Sequence, residues 1–267
     1  MKHKRTVISI IICTLAAILL ISGCGAKKET ETTYTGIISA MDNESSLLLK
    51  EADIDHVDNI GGVDYHVGKL NGEDVVITKA GIGKVMSSSG VTTMLNNYKI
   101  SRVLFTGIAG GVGNDTQVLD EVVATRLVQH DFGMTTDDGF KWYEGYDDLK
   151  KFYECDEDLV NFAYNAAVEV VGEEHAFKGT IATGDQFIAS EKYVKTLQEE
   201  FDALACEMEG AAVAMVCEEY DVPYVVIRAM SDKADGKAHE TYENMADIAA
   251  DNSSRILIRM MEDLQKQ

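Results

Sequence analysis

Two carboxylates stand one residue apart in Ala205-Cys206-Glu207-Met208-Glu209-Gly210-Ala211-Ala212, where the short apolar run Asp202-Ala203-Leu204-Ala205 gives way to small helix-forming residues from Ala211 to Val216. In extended chain the alternation puts Glu207 and Glu209 on one face and Met208 on the other. Two readings are open. Acids at a helix start complement the amide dipole, and acids at a strand end can also belong to a site. Other carboxylates share this setting: Glu44 follows an apolar run, Gly184-Asp185 another, and Ser231-Asp232 a third. Carboxyl groups do general acid and base work when burial tunes their affinity for protons.

The elements that must position these residues alternate between strand and helix. Thr35-Gly36-Ile37-Ile38-Ser39-Ala40-Met41 reads as a short strand, broken by Asp42 to Ser46 before a helix opens with Leu47-Leu48-Leu49. Strand-like runs from Gly62 to Leu70 and from Asp74 to Lys79 flank Asn71-Gly72, a strong hairpin signal. After Ala80-Gly81-Ile82-Gly83-Lys84 a helical pattern runs from Val85 to Tyr98. Arg102 to Thr106 reads as a buried strand leading into Gly107-Ile108-Ala109-Gly110-Gly111-Val112-Gly113, a glycine-rich loop whose backbone can approach a ligand. Glu121 to Gln129 is strand-like. Asp131 to Asp148, with Trp142, Tyr143 and Tyr146, has no clear period and reads as a functional or interface loop. Helices over Asp156 to Val171 and Lys192 to Glu200, strands over Phe177 to Thr183 and Pro223 to Met230, and a long helix from about Glu240 to Leu264 complete the pattern. This is an α/β fold. Its candidate residues follow the carboxyl ends of strands, the edge where open α/β sheets bind ligands.

The amino terminus is of another kind. Lys2, Lys4 and Arg5 precede an apolar run from Val7 to Ile21, closed by Ile21-Ser22-Gly23-Cys24. Positive residues, a hydrophobic run and small residues make a secretory signal, and the run is shorter than the ~20 residues of a spanning helix. The closing four residues resemble the lipobox of bacterial lipoproteins, which implies cleavage before Cys24 and lipidation of its sulfur; an uncleaved anchor is the alternative. Residues 24–34 are polar and read as a tether, and residues 35–267 as one domain. The formal charge of −21 disfavours nucleic acid as a partner. Of five cysteines, Cys155, Cys206 and Cys217 remain for the domain, too few for a disulfide framework, and the six histidines show no ligand spacing. No metal and no cofactor are expected.

From Gly36 to the C-terminus the chain resembles the nucleoside phosphorylase and nucleosidase superfamily, most closely its 5′-methylthioadenosine/S-adenosylhomocysteine nucleosidases. The resemblance is carried by Gly36 to Glu44, Gly81-Ile82-Gly83-Lys84-Val85, Gly184-Asp185-Gln186-Phe187-Ile188, Glu207-Met208-Glu209 and Arg228-Ala229-Met230-Ser231-Asp232, in family order. It implies a twisted mixed central sheet flanked by helices, and a homodimer. It also implies roles. Glu44 matches the acid that activates water, Asp232 the acid that protonates N7 of the departing adenine, and Arg228 the residue that supports them. Glu209 and Met208 match the contacts to the ribose, Phe187 and Ile188 those to the base, and Met41, Ile108, Glu207 and Ser231 further substrate contacts.

Breaking an N-glycosidic bond builds positive charge on the sugar and negative charge on the base, which a carboxylate and a proton donor relieve. Phosphorylases of the superfamily hold phosphate with an arginine and a serine where this chain has Phe105 and Ile108, so water is the expected nucleophile. Ile108 also departs from the serine common in nucleosidases. The resemblance thus implies a lipid-anchored purine nucleosidase on the outer side of a membrane, acting on methylthioadenosine, S-adenosylhomocysteine or related nucleosides. The alternatives are a nucleoside-binding lipoprotein without turnover and a nucleosidase for futalosine-like or inosine-type substrates.

Overall fold

A computed structural model describes residues 32–142 and 151–266 of the chain. The expected signal segment, Cys24 and most of the tether lie outside the described residues, as do Tyr143 and Tyr146. Residues Thr33–Gln267 form one compact unit.

The chain runs β1 (Tyr34–Ser39), α1 (Asp42–Glu51), β2 (Asp53–Ile60), β3 (Val63–Leu70), β4 (Glu73–Lys79), α2 (Lys84–Asn97), β5 (Ile100–Gly111), β6 (Glu121–Gln129), β7 (Gly133–Thr136), β8 (Gly139–Trp142) and β9 (Tyr153–Glu154). It continues with α3 (Glu157–Val171), a 3-10 turn (Glu173–His175), β10 (Ala176–Thr183), α4 (Glu191–Phe201), β11 (Ala203–Glu207), α5 (Gly210–Glu219), β12 (Tyr224–Asp232) and α6 (Ala238–Leu264). The large mixed sheet has the order β11-β10-β6-β12-β5-β1-β4-β3-β2. Pairs β1–β4, β1–β5, β12–β5, β10–β6 and β10–β11 are parallel, and β12–β6 is antiparallel.

Each central strand has two apolar faces because helices cover both sides. On one side Ile38, Val103, Phe105 and Val226 pack with Val91 and Met94 of α2 and Val213 and Ala214 of α5. On the other, Ile37, Leu104, Val123 and Ile227 pack with α3 and with Ile256, Leu257 and Met260 of α6. Helix starts follow from local caps: Asp156 accepts from Leu159 N at the head of α3, and Ser190 caps α4.

Two expectations change, and one strand is added. Gly107 to Gly111 is not a loop; it is the second half of β5, and Gly110 and Gly111 pair antiparallel with Cys206 and Ala205 of β11. That pairing closes β11-β10-β6-β12-β5 into a ring of strands and sets the end of β5 against the Glu207 segment. The first half of the long loop, from Gly133 to Trp142, is the hairpin β7–β8. Finally, β2 is an edge strand with Asp53, Asp55, Asp58 and Asn59 along it, charges that hide its apolar positions from a periodicity test and also protect an open edge.

Candidate active site

Glu44 is the third residue of α1, and the way it starts that helix also buries it. Its Oε2 accepts from the backbone N–H groups of Ala40 and Met41, both at 2.8 Å, closing the N-terminus onto the end of β1. Its Oε1 accepts from Ile108 N at 3.0 Å. The close approach to β5 needs Gly107, since a methyl there would lie 2.5 Å from Oε1. The glycines of this segment therefore admit the protein's own carboxylates: a methyl on Gly110 would lie 3.1 Å from Asp232 Oδ1. Burial raises the proton affinity of Glu44, while Arg228 and the three N–H groups oppose the rise.

Glu207 and Glu209 separate. β11 ends at Glu207, and Glu209 is the N-cap of α5 with φ −137° and ψ −39°, so the extended alternation stops between them. Glu207 Oε1 accepts from the Thr183 hydroxyl. Its Oε2 accepts from Glu209 N at 3.1 Å, Gly210 N at 2.7 Å and Arg228 Nη2 at 2.8 Å. Glu207 thus turns strand into helix and holds the arginine, while its side of the segment also forms part of the cavity wall. Glu209 accepts from Gly83 N at 2.7 Å and lies 4.0 Å from Arg228 Nη2. Burial, and the nearby Glu207, push its carboxyl well above the usual range.

Arg228 is 1% exposed, with its guanidinium 4.1 Å from the ring centroid of Phe105. A cation held by an aromatic face and a buried carboxylate offsets the acids around it without itself lining the cavity. Four residues on, Asp232 ends β12. Its Oδ1 accepts from Ala234 N at 2.7 Å and its Oδ2 from the Ser231 hydroxyl at 2.8 Å. Burial raises its proton affinity against those two bonds, and Asp235 adds to the rise. Such a carboxyl can carry a proton to a bound base.

Met41, Glu44, Ile108, Phe187, Ile188, Glu207, Met208, Glu209, Ser231 and Asp232, drawn from five places in the chain, line one cavity of ≈ 380 Å³. Arg228 stands behind its wall. Phe187 is half exposed at the mouth, edge-on to Tyr242 with ring centroids 5.8 Å apart. The sequence reading missed Ile82, Cys206, His239 and Tyr242, which also line it. Tyr242 donates to Met41 Sδ at 3.5 Å. The last two carried a readable signal: they sit three residues apart in the first turns of α6, right after Asp232.

A family model described as the phosphorylase superfamily matches residues 34–262. The 5′-methylthioadenosine/S-adenosylhomocysteine nucleosidase of Shewanella sediminis is 36% identical over 230 residues, covering 86% of this chain and 99% of the relative. The S-adenosylhomocysteine nucleosidase of Streptococcus pyogenes, solved with 5-methylthiotubericidin, superposes with a TM-score of 0.80 at 31% identity, covering 89% of this chain and 99% of that one. The futalosine hydrolase of Helicobacter pylori superposes with a TM-score of 0.78 at 33% identity, covering 87% and 98%. Matched by the superfamily model over residues 34–262 and alike to these relatives over nearly their whole length, the chain belongs to the 5′-methylthioadenosine/S-adenosylhomocysteine nucleosidase family of the phosphorylase superfamily.

Proposed function

We propose that the protein hydrolyses the N-glycosidic bond of 5′-methylthioadenosine, S-adenosylhomocysteine or a related adenine nucleoside, releasing adenine and the free sugar. The observation that carries this reading is the placement of three buried carboxylates, Glu44, Glu209 and Asp232, around one largely apolar cavity. Glu209 accepts hydrogen bonds from the ribose hydroxyls beside Met208, and the negative charge around the sugar favours the oxocarbenium-like transition state. Asp232 donates its proton to N7 as the bond to the base breaks. Glu44 orients water and takes its proton, helped by three backbone N–H bonds that fix the carboxylate.

Water is the nucleophile in this reading because no lysine or arginine lines the cavity among the described residues. Ile108 is apolar, and Phe105 is committed beneath Arg228. Phosphate would enter a wall of acids without a cation to meet it. The test is adenine release from methylthioadenosine by the purified domain, assayed with and without phosphate. Release that requires phosphate would overturn hydrolysis, and saturable binding without release would leave a nucleoside-binding lipoprotein. A second substrate reading, a futalosine-type nucleoside, draws on the likeness to the futalosine hydrolase, and the same assay with that nucleoside separates the two.

Two further parts of the reading concern placement. Cys24 carries a lipid that holds the domain outside the cytoplasmic membrane, a reading supported by the leader and its Ile21-Ser22-Gly23-Cys24 end. Its test is detergent-phase partitioning, lost in Cys24→Ser. The domain pairs as a homodimer, supported by Ile82, Val85 and Met86, which are 55%, 79% and 51% exposed in succession beside the cavity. Light scattering of the soluble domain checks the mass.

A further inference from the structure

His130 follows β6 directly, is 1% exposed, and has no part in the chemistry above. Its backbone N–H donates to Thr183 O at 2.9 Å, which ties it to the end of β10. Its Nδ1 lies 3.1 Å from the Tyr193 hydroxyl of α4, with the two rings edge to face at 5.6 Å. Its Nε2 has no hydrogen-bond partner among the described residues and is turned onto Gly184, where a methyl in place of the glycine hydrogen would overlap it. A glycine hydrogen therefore points at Nε2. That contact accommodates a lone pair and not an N–H, so the ring fits only as the neutral tautomer with its proton on Nδ1, donated to Tyr193.

Gly184 opens the segment that runs to Ser190 and presents Gln186, Phe187 and Ile188 to the cavity. The segment is fixed at its ends, by Gly184 N to Glu207 O at 3.0 Å and Ser190 N to Ala234 O at 2.8 Å. Beside His130, Asp131 accepts from Asp185 N at 2.8 Å and pairs with Lys84 Nζ at 2.6 Å, while Asp185 Oδ1 accepts from Lys84 N. So His130 supports the segment from beneath and Asp131 ties it sideways to the loop that bonds Glu209.

We propose that neutral His130 is a positioning residue for the Gly184–Ser190 segment, and that its protonation displaces this segment and weakens the hold on the base. The charged groups facing the ring are Asp131 beside it, Lys84 of α2 and Glu207 of β11, with the Tyr193 hydroxyl of α4. Asp131 and Glu207 favour the proton, and both are already bonded to other donors; Lys84 disfavours it. Burial outweighs them and holds the imidazole below its usual range. The neutral state is thus lost on the acid side, and affinity with it.

The proposal rests on the nucleosidase reading for its substrate, and its test separates the two. For the wild-type protein KM is expected to rise at least threefold between pH 7.5 and 5.5. In His130→Gln, which keeps an amide donor for Tyr193 but cannot take up a proton, that rise shrinks to the part that the cavity's own raised carboxyls, Glu209 among them, contribute. Tyr193→Phe keeps the ring contact and loses the hydroxyl, and is expected to raise KM at pH 7.5 by about 2- to 10-fold with kcat changed less than twofold. An equal acid-side rise in His130→Gln overturns the proposal, as does a Tyr193→Phe variant whose kcat falls as much as its kcat/KM. If the wild-type protein releases no adenine, the nucleosidase reading fails, and the same comparisons are made on the Kd of adenine.

Discussion

Arg228 Nη2 lies 2.8 Å from Glu207 Oε2, and both side chains are within 2% of complete burial. This pair joins the last residue of β11 to the middle of β12, with Glu209 4.0 Å from the same Nη2 and Glu44 within reach of the guanidinium's charge. Removing one partner of a buried pair leaves a charge without compensation, at a cost of about 3–5 kcal/mol. Arg228→Met is therefore expected to lower unfolding free energy by that amount in urea titrations. The double variant Arg228→Met/Glu207→Gln is expected to recover part of the loss, and an additive double variant would show that the pair is not coupled.

Asp232 carries the proton to the base if the proposed chemistry holds. Asp232→Asn keeps the size and, through its one amide oxygen, the bond from Ala234 N, but cannot donate an acidic proton. A fall in kcat of about 10²- to 10⁴-fold is expected, with KM little changed. A variant that keeps more than a tenth of wild-type turnover removes the assignment.

Gly107 has its consequence at Glu44. A methyl there lies 2.5 Å from the carboxylate and 3.1 Å from Arg228 Nη1. Neither side chain is free to retreat, because Glu44 is held by three N–H groups and Arg228 by Glu207. Gly107→Ala is expected to displace the water-activating oxygen by an ångström or less and to lower kcat about 100-fold.

Glu121 is fully buried at the start of β6, and neither carboxylate oxygen has a hydrogen-bond partner among the described residues. It stands in one cross-strand row with Ala229 and Ile108, on the sheet face covered by α6. Burial, with Asp120 adding to it, pushes its proton affinity well above the ordinary value of 4.5. The folded chain then keeps a proton that the unfolded chain releases, so unfolding free energy falls as pH rises above about 4.5 and levels off once the folded carboxyl has ionised. Glu121→Leu is expected to be more stable than the wild type at pH 7.5, by a margin larger than at pH 4.5. Denaturant melts at the two pH values check this, and equal margins would contradict it.

The sequence by itself determined where the carboxylates stand along the chain. Apolar runs a few residues long, each ending in an acid or followed by one within five residues, mark β1, β10, β11 and β12 because a buried strand must be apolar on both faces and the residues that leave it are free to be polar. Thus Glu44, Glu209 and Asp232 were legible as candidates, and the order of motifs from Gly36 to Asp232 was legible as a family resemblance. What tertiary structure alone decided is where each of those groups faces. Gly107 to Gly111 has no side-chain pattern to report its state, and it is a strand because distant segments pair with it, Arg228 to Asp232 of β12 on one side and, at Gly110 and Gly111, Cys206 and Ala205 of β11. Glu207 and Glu209 look equivalent in an alternating pattern, and they part because Thr183, Arg228 and two backbone N–H groups claim the first. His239 and Tyr242, marked in the sequence by their spacing after Asp232, reach the cavity through the direction of α6. Local composition sets which residues can be buried or polar; pairing between distant segments sets which of them share a site.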